Sequence, residues 1–214
     1  MSKAVIFGAT GYAGSRIVTE LLAAGHDVVA VARSTDGIQP RDGLTVVQGS
    51  VADAAVVERV VEGADVIVSA LPPATGDLTL AAALEILLAA TARVGARLGV
   101  VGGATTLRVS EGGPKLPEVV DFPAEFQSVI TAHADALSTL EASDDSIDWF
   151  YFSPAAEFGP QNPGTRTGTY RVGSDVLLND ETGSSQISGD DYAIAFADEI
   201  TNPTVRRAQL HAAY

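Results

Sequence analysis

Cysteine is absent from this 214-residue chain, which removes disulfides, thiolate nucleophiles and cysteine-ligated zinc or iron–sulfur centres together. Histidine occurs three times, at His26, His133 and His211, with no spacing suited to a metal, and lysine only twice, at Lys3 and Lys115. Bases are scarce altogether: 13 Lys and Arg stand against 27 Asp and Glu, a formal charge of −14. A surface of that sign repels phosphate backbones and anionic headgroups, so no nucleic acid and no membrane is expected as a main partner. A local basic spot can still take a small anion. Long apolar runs are missing too. Ala4–Phe7 is too short for a signal peptide, and Leu78–Ala92 carries Glu85 and falls short of a bilayer span. The expectation is a soluble, cytoplasmic protein with no metal.

What is present is enough apolar material for a core, with 46% hydrophobic and 19% charged residues. Short β-branched runs alternate with longer Ala/Leu-rich segments. Strands are predicted at Ala4–Phe7, Asp27–Ala32, Leu44–Val47, Val66–Ala70, Arg97–Val101 and Asp148–Phe152. Helices are predicted between them at Tyr12–Ala24, Asp53–Val61, Leu78–Val94 and Ala124–Ala142. Continuous apolar strands joined by helices give an α/β, doubly wound (Rossmann) parallel sheet with helices on both faces. After Pro154 the rhythm breaks into a Gly/Pro/Thr/Asn-rich loop. Thr169–Val172 and Val176–Leu178 read as a hairpin, and Ser188-Gly-Asp-Asp191 as a capping box opening a helix over Tyr192–Ile200. Residues 1–153 are thus expected to form the doubly wound Rossmann domain. Residues 154–214, too few for their own core, are expected to pack on it as a small substrate-side cap, the whole being one structural unit.

Gly8-Ala-Thr-Gly11-Tyr-Ala-Gly14 lies where the first strand turns into the first helix. Gly8 can make the tight turn, Gly11 lets backbone approach a phosphate, and Gly14 lets the helix pack on the sheet. The unpaired amides of the helix N-terminus then offer positive potential to a pyrophosphate, which an acidic protein needs in order to hold an anionic cofactor. At the end of the second strand, dinucleotide sites selective for NAD place an acid; here stand Ala32-Arg33-Ser34. Arg33 can pair with a 2′-phosphate and Ser34 can add a hydrogen bond, favouring NADP (NADPH) over NAD, with Asp36 counting against it.

Gly8–Gly14, Val31-Ala-Arg33, Val100-Val-Gly-Gly-Ala104, Phe152-Ser-Pro154, Arg166-Thr-Gly-Thr-Tyr-Arg171 and Ile187-Ser-Gly-Asp-Asp-Tyr-Ala193 run in order along the whole chain. With them the sequence resembles the atypical short-chain dehydrogenase/reductases, in particular the NmrA-like NAD(P)H-binding and NADH-flavin reductase group. It is similar, more weakly, to the flavin/biliverdin-IXβ reductases. The resemblance implies that Gly8, Thr10, Gly11, Tyr12 and Ala13 hold the pyrophosphate and Arg33 the adenosine 2′ side. It places Gly49-Ser50-Val51 near adenine, although relatives have Asp where Ser50 stands. It also implies that Ser69-Ala70-Leu71-Pro72 lines the nicotinamide ribose. Thr105 and Thr106 then fall where relatives keep a serine near the nicotinamide, and His133 aligns with a histidine of the flavin reductases.

The dehydrogenase dyad is missing. It needs a Tyr with Lys four residues on, so that the ammonium lowers the phenol's pKa. Here Tyr12 is followed by Arg16, Tyr151 by Ala155, Tyr170 by Ser174 and Tyr192 by Phe196. Hydride transfer to a flavin or quinone tolerates that loss, because stacking two rings in line does most of the work. For catalysis the candidates are His133, Thr105 and Thr106. His133 reads either as a proton donor titrating near neutrality or as a helix-surface histidine. Glu157 and Phe158, in the loop after the sixth strand, could face a substrate, or Glu157 could simply be solvated. Arg166 and Arg171 could bind an anion or pair with the surplus carboxylates. The expected function is an NAD(P)H-dependent reductase of a flat acceptor. Its alternatives are a non-catalytic redox sensor acting through a protein partner, or an isomerase or dehydratase that uses the cofactor transiently. A homodimer or a separate protein partner fits either of the first two.

Overall fold

In the computed structural model, which describes residues 2–214, the β-branched runs are the centre of an eight-stranded sheet. Strand β1 (Lys3–Phe7) leads through α1 (Tyr12–Ala23) to β2 (Asp27–Ala32) and on to β3 (Leu44–Gln48). Helix α2 (Ala54–Val61) returns the chain to β4 (Val66–Ser69), and a small hairpin, β5 (Ala74–Thr75) and β6 (Leu78–Thr79), precedes α3 (Leu80–Val94). Strand β7 (Arg97–Val101), a short helix α4 (Leu116–Val119), α5 (Gln127–Glu141) and β8 (Asp148–Ser153) follow. The chain finishes with β9 (Arg171–Gly173), α6 (Gly189–Thr201) and β10 (Ala208–Ala213). The sheet order is β3-β2-β1-β4-β7-β8-β10-β9, parallel throughout except for the antiparallel pair β10–β9.

Both faces are covered. Valines of α2, leucines of α3 and Ala136, Leu137 and Leu140 of α5 pack on one face with Val5, Ile67, Leu98 and Tyr151. On the other, Ile17 and Leu21 of α1 and Tyr192, Phe196 and Ile200 of α6 pack with Ile6, Val68, Phe150 and Phe152. Burial on two sides is why the central strands β1, β4, β7 and β8 are apolar at nearly every position rather than alternating, while the edge strands β3 and β9 stay largely exposed.

Residues 154–214 do more than sit on the first domain. They contribute α6, packed beside α1, and β10, a parallel neighbour of β8 in the main sheet. The expected hairpin is not formed. Arg171–Gly173 pairs with Ala213–His211, while Val176 makes only an isolated bridge to Arg108. Backbone partners far along the chain outcompete the local turn. Half of the expected capping box forms: the Ser188 hydroxyl accepts from the Asp191 amide and the helix starts at Gly189. The Ser188 amide, however, donates to the Tyr214 hydroxyl rather than to Asp191, because the C-terminal tyrosine reaches it first.

Candidate functional site

The chain leaves β1 toward β2 on one side, while β4 lies on the other, so a crevice opens at the carboxyl ends of β1 and β4. A groove of about 350 Å³ occupies it. Gly8 forms its tight turn at φ +85°, with its amide donating to the Val31 carbonyl at 3.2 Å. A Cβ there would overlap the Ala70 carbonyl, and one at Gly14 would overlap the Gly8 carbonyl. The two glycines therefore bring β1, β4 and α1 closer than any side chain allows. Helices α2, α3 and α6 are capped by the side chains of Asp53, Thr79 and Ser188; α1 is capped by Gly11 with no side chain and no acid in its first turn. Its first amides are left facing the groove's floor.

Most of the expected cofactor residues converge here. Thr10, Gly11 and Tyr12 line one wall, Arg33, Ser50 and Val51 the end by β2 and β3, and Ala70, Leu71 and Pro72 the wall from β4. Ala13 and Gly14 are buried in α1 beneath the groove, and Ser34 is not among its lining residues. The Ser34 hydroxyl donates to Asp36 at 3.1 Å instead. Thr75 is an addition the sequence did not signal. It sits in the β5–β6 hairpin, buried, lining the groove, with a hydroxyl that has no hydrogen-bond partner. Only the Pro72-Pro73 pair and the Gly76-Asp77 turn marked that segment as special, and neither points to a threonine.

A second cluster lies at the end of β7. The Tyr151 hydroxyl, at the centre of β8, accepts from the Gly103 amide at 3.1 Å and lies 3.0 Å from His133 Nδ1. Burial lowers the His133 pKa to about 4, which corrects the expectation of titration near neutrality: at pH 7 the ring is neutral. Burial likewise pushes the Tyr151 phenol up, so it stays protonated. Thr106, expected beside the nicotinamide, is instead turned into the core. Its hydroxyl donates to the Gly103 carbonyl and accepts from the Gln209 amide, each at 2.8 Å. Thr105 is half-buried with an unpartnered hydroxyl, as is that of the buried Ser69 at the end of β4. The hydroxyls of Ser69, Thr75 and Thr105 are thus unpaired at or just after the carboxyl ends of β4 and β7, and of the three Thr75 lines the groove. Each costs about 1–3 kcal/mol unless something polar arrives to bond it, which is what a nucleotide's ribose and amide groups supply.

The remaining candidates resolve structurally. Phe158 packs edge-on against Tyr12, with ring centres 5.2 Å apart, and against Tyr192. Glu157 is exposed and accepts from the Ser184 hydroxyl at 2.8 Å. Arg166 pairs with Glu20, and Arg171 donates to the Tyr214 and Asn179 carbonyls.

Residues 8–203 match the model of a family described as NAD(P)H-binding. The chain belongs to that family. Within it, this NAD(P)H-binding protein is of the atypical short-chain dehydrogenase/reductase, NmrA-like kind. It is 34% identical over 204 residues to the Bacillus subtilis (strain 168) protein YwnB, itself uncharacterized, covering 94% of this chain and 93% of that one. Among solved structures it superposes with a TM-score of 0.87 on a Streptococcus pneumoniae protein, named as a candidate NADH-flavin reductase, at 30% identity over 100% of this chain and 99% of that one. It superposes at 0.89 on a Bacteroides thetaiotaomicron protein, named as a candidate epimerase, at 32% identity over 100% and 97%. Among the described residues of this NAD(P)H-binding chain, no helix is long and apolar enough to cross a membrane.

Proposed function

We propose that the chain is a cytoplasmic NAD(P)H-dependent reductase that delivers hydride to a flat acceptor such as a flavin or quinone, with NADPH preferred. One observation carries the reading: in a chain of net charge −14, no carboxylate lines the groove, and its single charged lining residue is Arg33. An anionic dinucleotide fits a cradle of uncapped amides and one cation. Among the described residues the Arg33 guanidinium has no carboxylate partner, which leaves it for a 2′-phosphate.

When bound, the cofactor would supply the hydride. Gly8, Gly11 and Tyr12 would hold its pyrophosphate, Ser50 and Val51 would flank the adenine, and Ala70–Pro72 with Thr75 would seat the nicotinamide half. The titratable pair at the end of β7, His133 and Tyr151, is neutral, so no strong acid is on hand to protonate an alkoxide. An acceptor whose ring delocalises the incoming electron pair needs none, and positioning carries the catalysis. The similarity to the Streptococcus pneumoniae protein points the same way.

The test is oxidation of NADPH and NADH by the purified chain with FMN, riboflavin and a small quinone, beside fluorescence titration of each nucleotide. Saturable turnover is expected. Arg33→Ala should lower the NADPH-to-NADH affinity ratio about tenfold, the value of a charge-assisted contact; an unchanged ratio would remove the NADP preference. A sensor reading draws on Val119, Val120 and Phe126, exposed apolar side chains within eight residues of one another in the approach to α5. Tight nucleotide binding without turnover on any acceptor would favour it over the reductase.

A further inference from the structure

The protons of the β7 cluster can be assigned from its donors. A backbone amide can only donate, so the Gly103 N–H occupies one lone pair of the Tyr151 oxygen. The phenol has one proton of its own to place. The neighbouring Thr106 hydroxyl already donates to the Gly103 carbonyl and accepts from the Gln209 amide, which leaves His133 Nδ1, 3.0 Å away, to accept it. Nδ1 must then carry its lone pair and Nε2 the ring proton. Nε2 itself has no partner among the described residues and does not rank with the buried unpaired atoms, so it is open to an incoming group.

The surroundings keep the pair in place. Tyr151 is fully buried. A Cβ at Gly102 would overlap its ring, and a Cβ at Gly103 would stand 2.7 Å from the His133 ring. The two consecutive glycines are therefore the surface on which the tyrosine and histidine meet, which gives Val100-Val-Gly-Gly-Ala104 a use beyond strand termination. The rings sit edge to face with centres 6.5 Å apart.

We propose that Tyr151 is a positioning residue that fixes His133 as its Nε2–H tautomer, so that the imidazole meets the acceptor as a hydrogen-bond donor. This rests on the reductase reading for its use but not for its existence. It narrows the acceptor to rings bearing a carbonyl oxygen or imine-type nitrogen near the atom that takes the hydride. The N–H would steady charge arriving there, and the proton that completes the reduction would come from water.

The test is ¹⁵N NMR of the histidine side chains in the full chain at pH 7, with the His133 signal identified by its loss in His133→Gln. The wild type should show Nε2–H and a bare Nδ1 at His133. Tyr151→Phe should release the ring into a mixture of tautomers. The same variant should lower kcat about tenfold while the KM for NADPH stays put, since one hydrogen bond to the reacting ring is lost and the nucleotide groove is untouched. A wild-type signal with the proton on Nδ1 overturns the proposal without recourse to any variant. So does a tautomer unchanged in Tyr151→Phe. A fixed tautomer released by Tyr151→Phe, with no turnover on any acceptor, upholds the positioning role and fails the reductase reading instead.

Discussion

Residues 2–101 bury no carboxylate, whereas residues 153–214 bury two, Asp191 and Glu199. The first stretch is held by hydrocarbon: Val, Ile, Leu and Ala of β1, β4, α2 and α3 fill its interior. The second adds polar ties to the apolar packing of Tyr192, Phe196, Ile200 and Leu210. Arg97, reaching over from β7, donates to Glu199 Oε1 at 2.6 Å and to the Glu199 and Val205 carbonyls, with its guanidinium 4.5 Å from the Phe150 ring centre. Asp191 collects the amides of Thr167 and Gly168 and the hydroxyls of Thr167, Ser188 and Tyr214. A segment with too little apolar surface to fold alone is thus fastened by side chains that reach backbone groups. The hydrocarbon half, by contrast, can leave its few hydroxyls unpaired at the groove.

The sharpest way to break that contrast is Glu199→Ala. It takes from Arg97 its buried counter-charge and leaves only the half-buried Asp148, 3.5 Å from Nε, and should cost about 3 kcal/mol, read as a drop in the urea midpoint. The double change Arg97→Met with Glu199→Leu should recover most of it. A small loss in the single variant would mean that the C-terminal segment is held by packing after all. Asp191→Asn comes next, at about 2 kcal/mol for charge-assisted bonds made neutral. Burial alone would raise the Asp191 carboxyl, but the Tyr214 hydroxyl, the Thr167 and Gly168 amides and the Thr167 hydroxyl outweigh it and hold it below the usual range. Its contribution is therefore complete above the ordinary Asp pKa and fades as pH falls through the lowered one. Urea midpoints against pH should show the wild type losing an increment below about pH 4 that the Asn variant has already lost. The smallest effect has two opposite signs. Thr75→Val removes a hydroxyl unpaired in the free protein, so it should stabilise that state by about 1 kcal/mol, read as a thermal midpoint raised by about 3 °C. It should also weaken NADPH binding about fivefold, for loss of one neutral hydrogen bond. A midpoint that falls would show the hydroxyl already satisfied without ligand.

Legibility in the sequence follows the same divide. Asp27–Ala32 and Arg97–Val101 appear in the structure with the bounds their apolar runs imply, because burial on both faces writes itself into consecutive residues. The groove is equally plain, since Gly8, Gly11 and Arg33 are neighbours of strand ends. Strand β10 escaped notice because Ala208-Gln-Leu-His-Ala-Ala213 places Gln209 and His211 inward. Gln209 donates to Ser153 and Thr106, and His211 approaches the Ser153 carbonyl. Partners 56 and 103 residues away in the chain leave no periodic trace. The Arg166–Arg171 motif was visible as a motif but not as a clamp, for Thr167-Gly168 has meaning only once Asp191 is seen beneath it. Likewise nothing in the sequence sets His133 apart from an ordinary titrating histidine, because its packing against Tyr151 and Gly103 comes from distant strands.

The acid-free groove has a kinetic consequence. At distances beyond the first water layers a dinucleotide meets the field of the whole molecule, which is negative, and only within a few ångströms the amides of α1 and the Arg33 guanidinium. Encounter is therefore slowed by long-range repulsion even though the bound state is favoured locally. Dissolved salt shortens the reach of the repulsive field to a Debye length of about 8 Å at physiological strength. It leaves contacts inside the groove comparatively unscreened. Capture of the nucleotide should accordingly quicken as ionic strength rises, the reverse of the steering found where protein and ligand carry opposite signs.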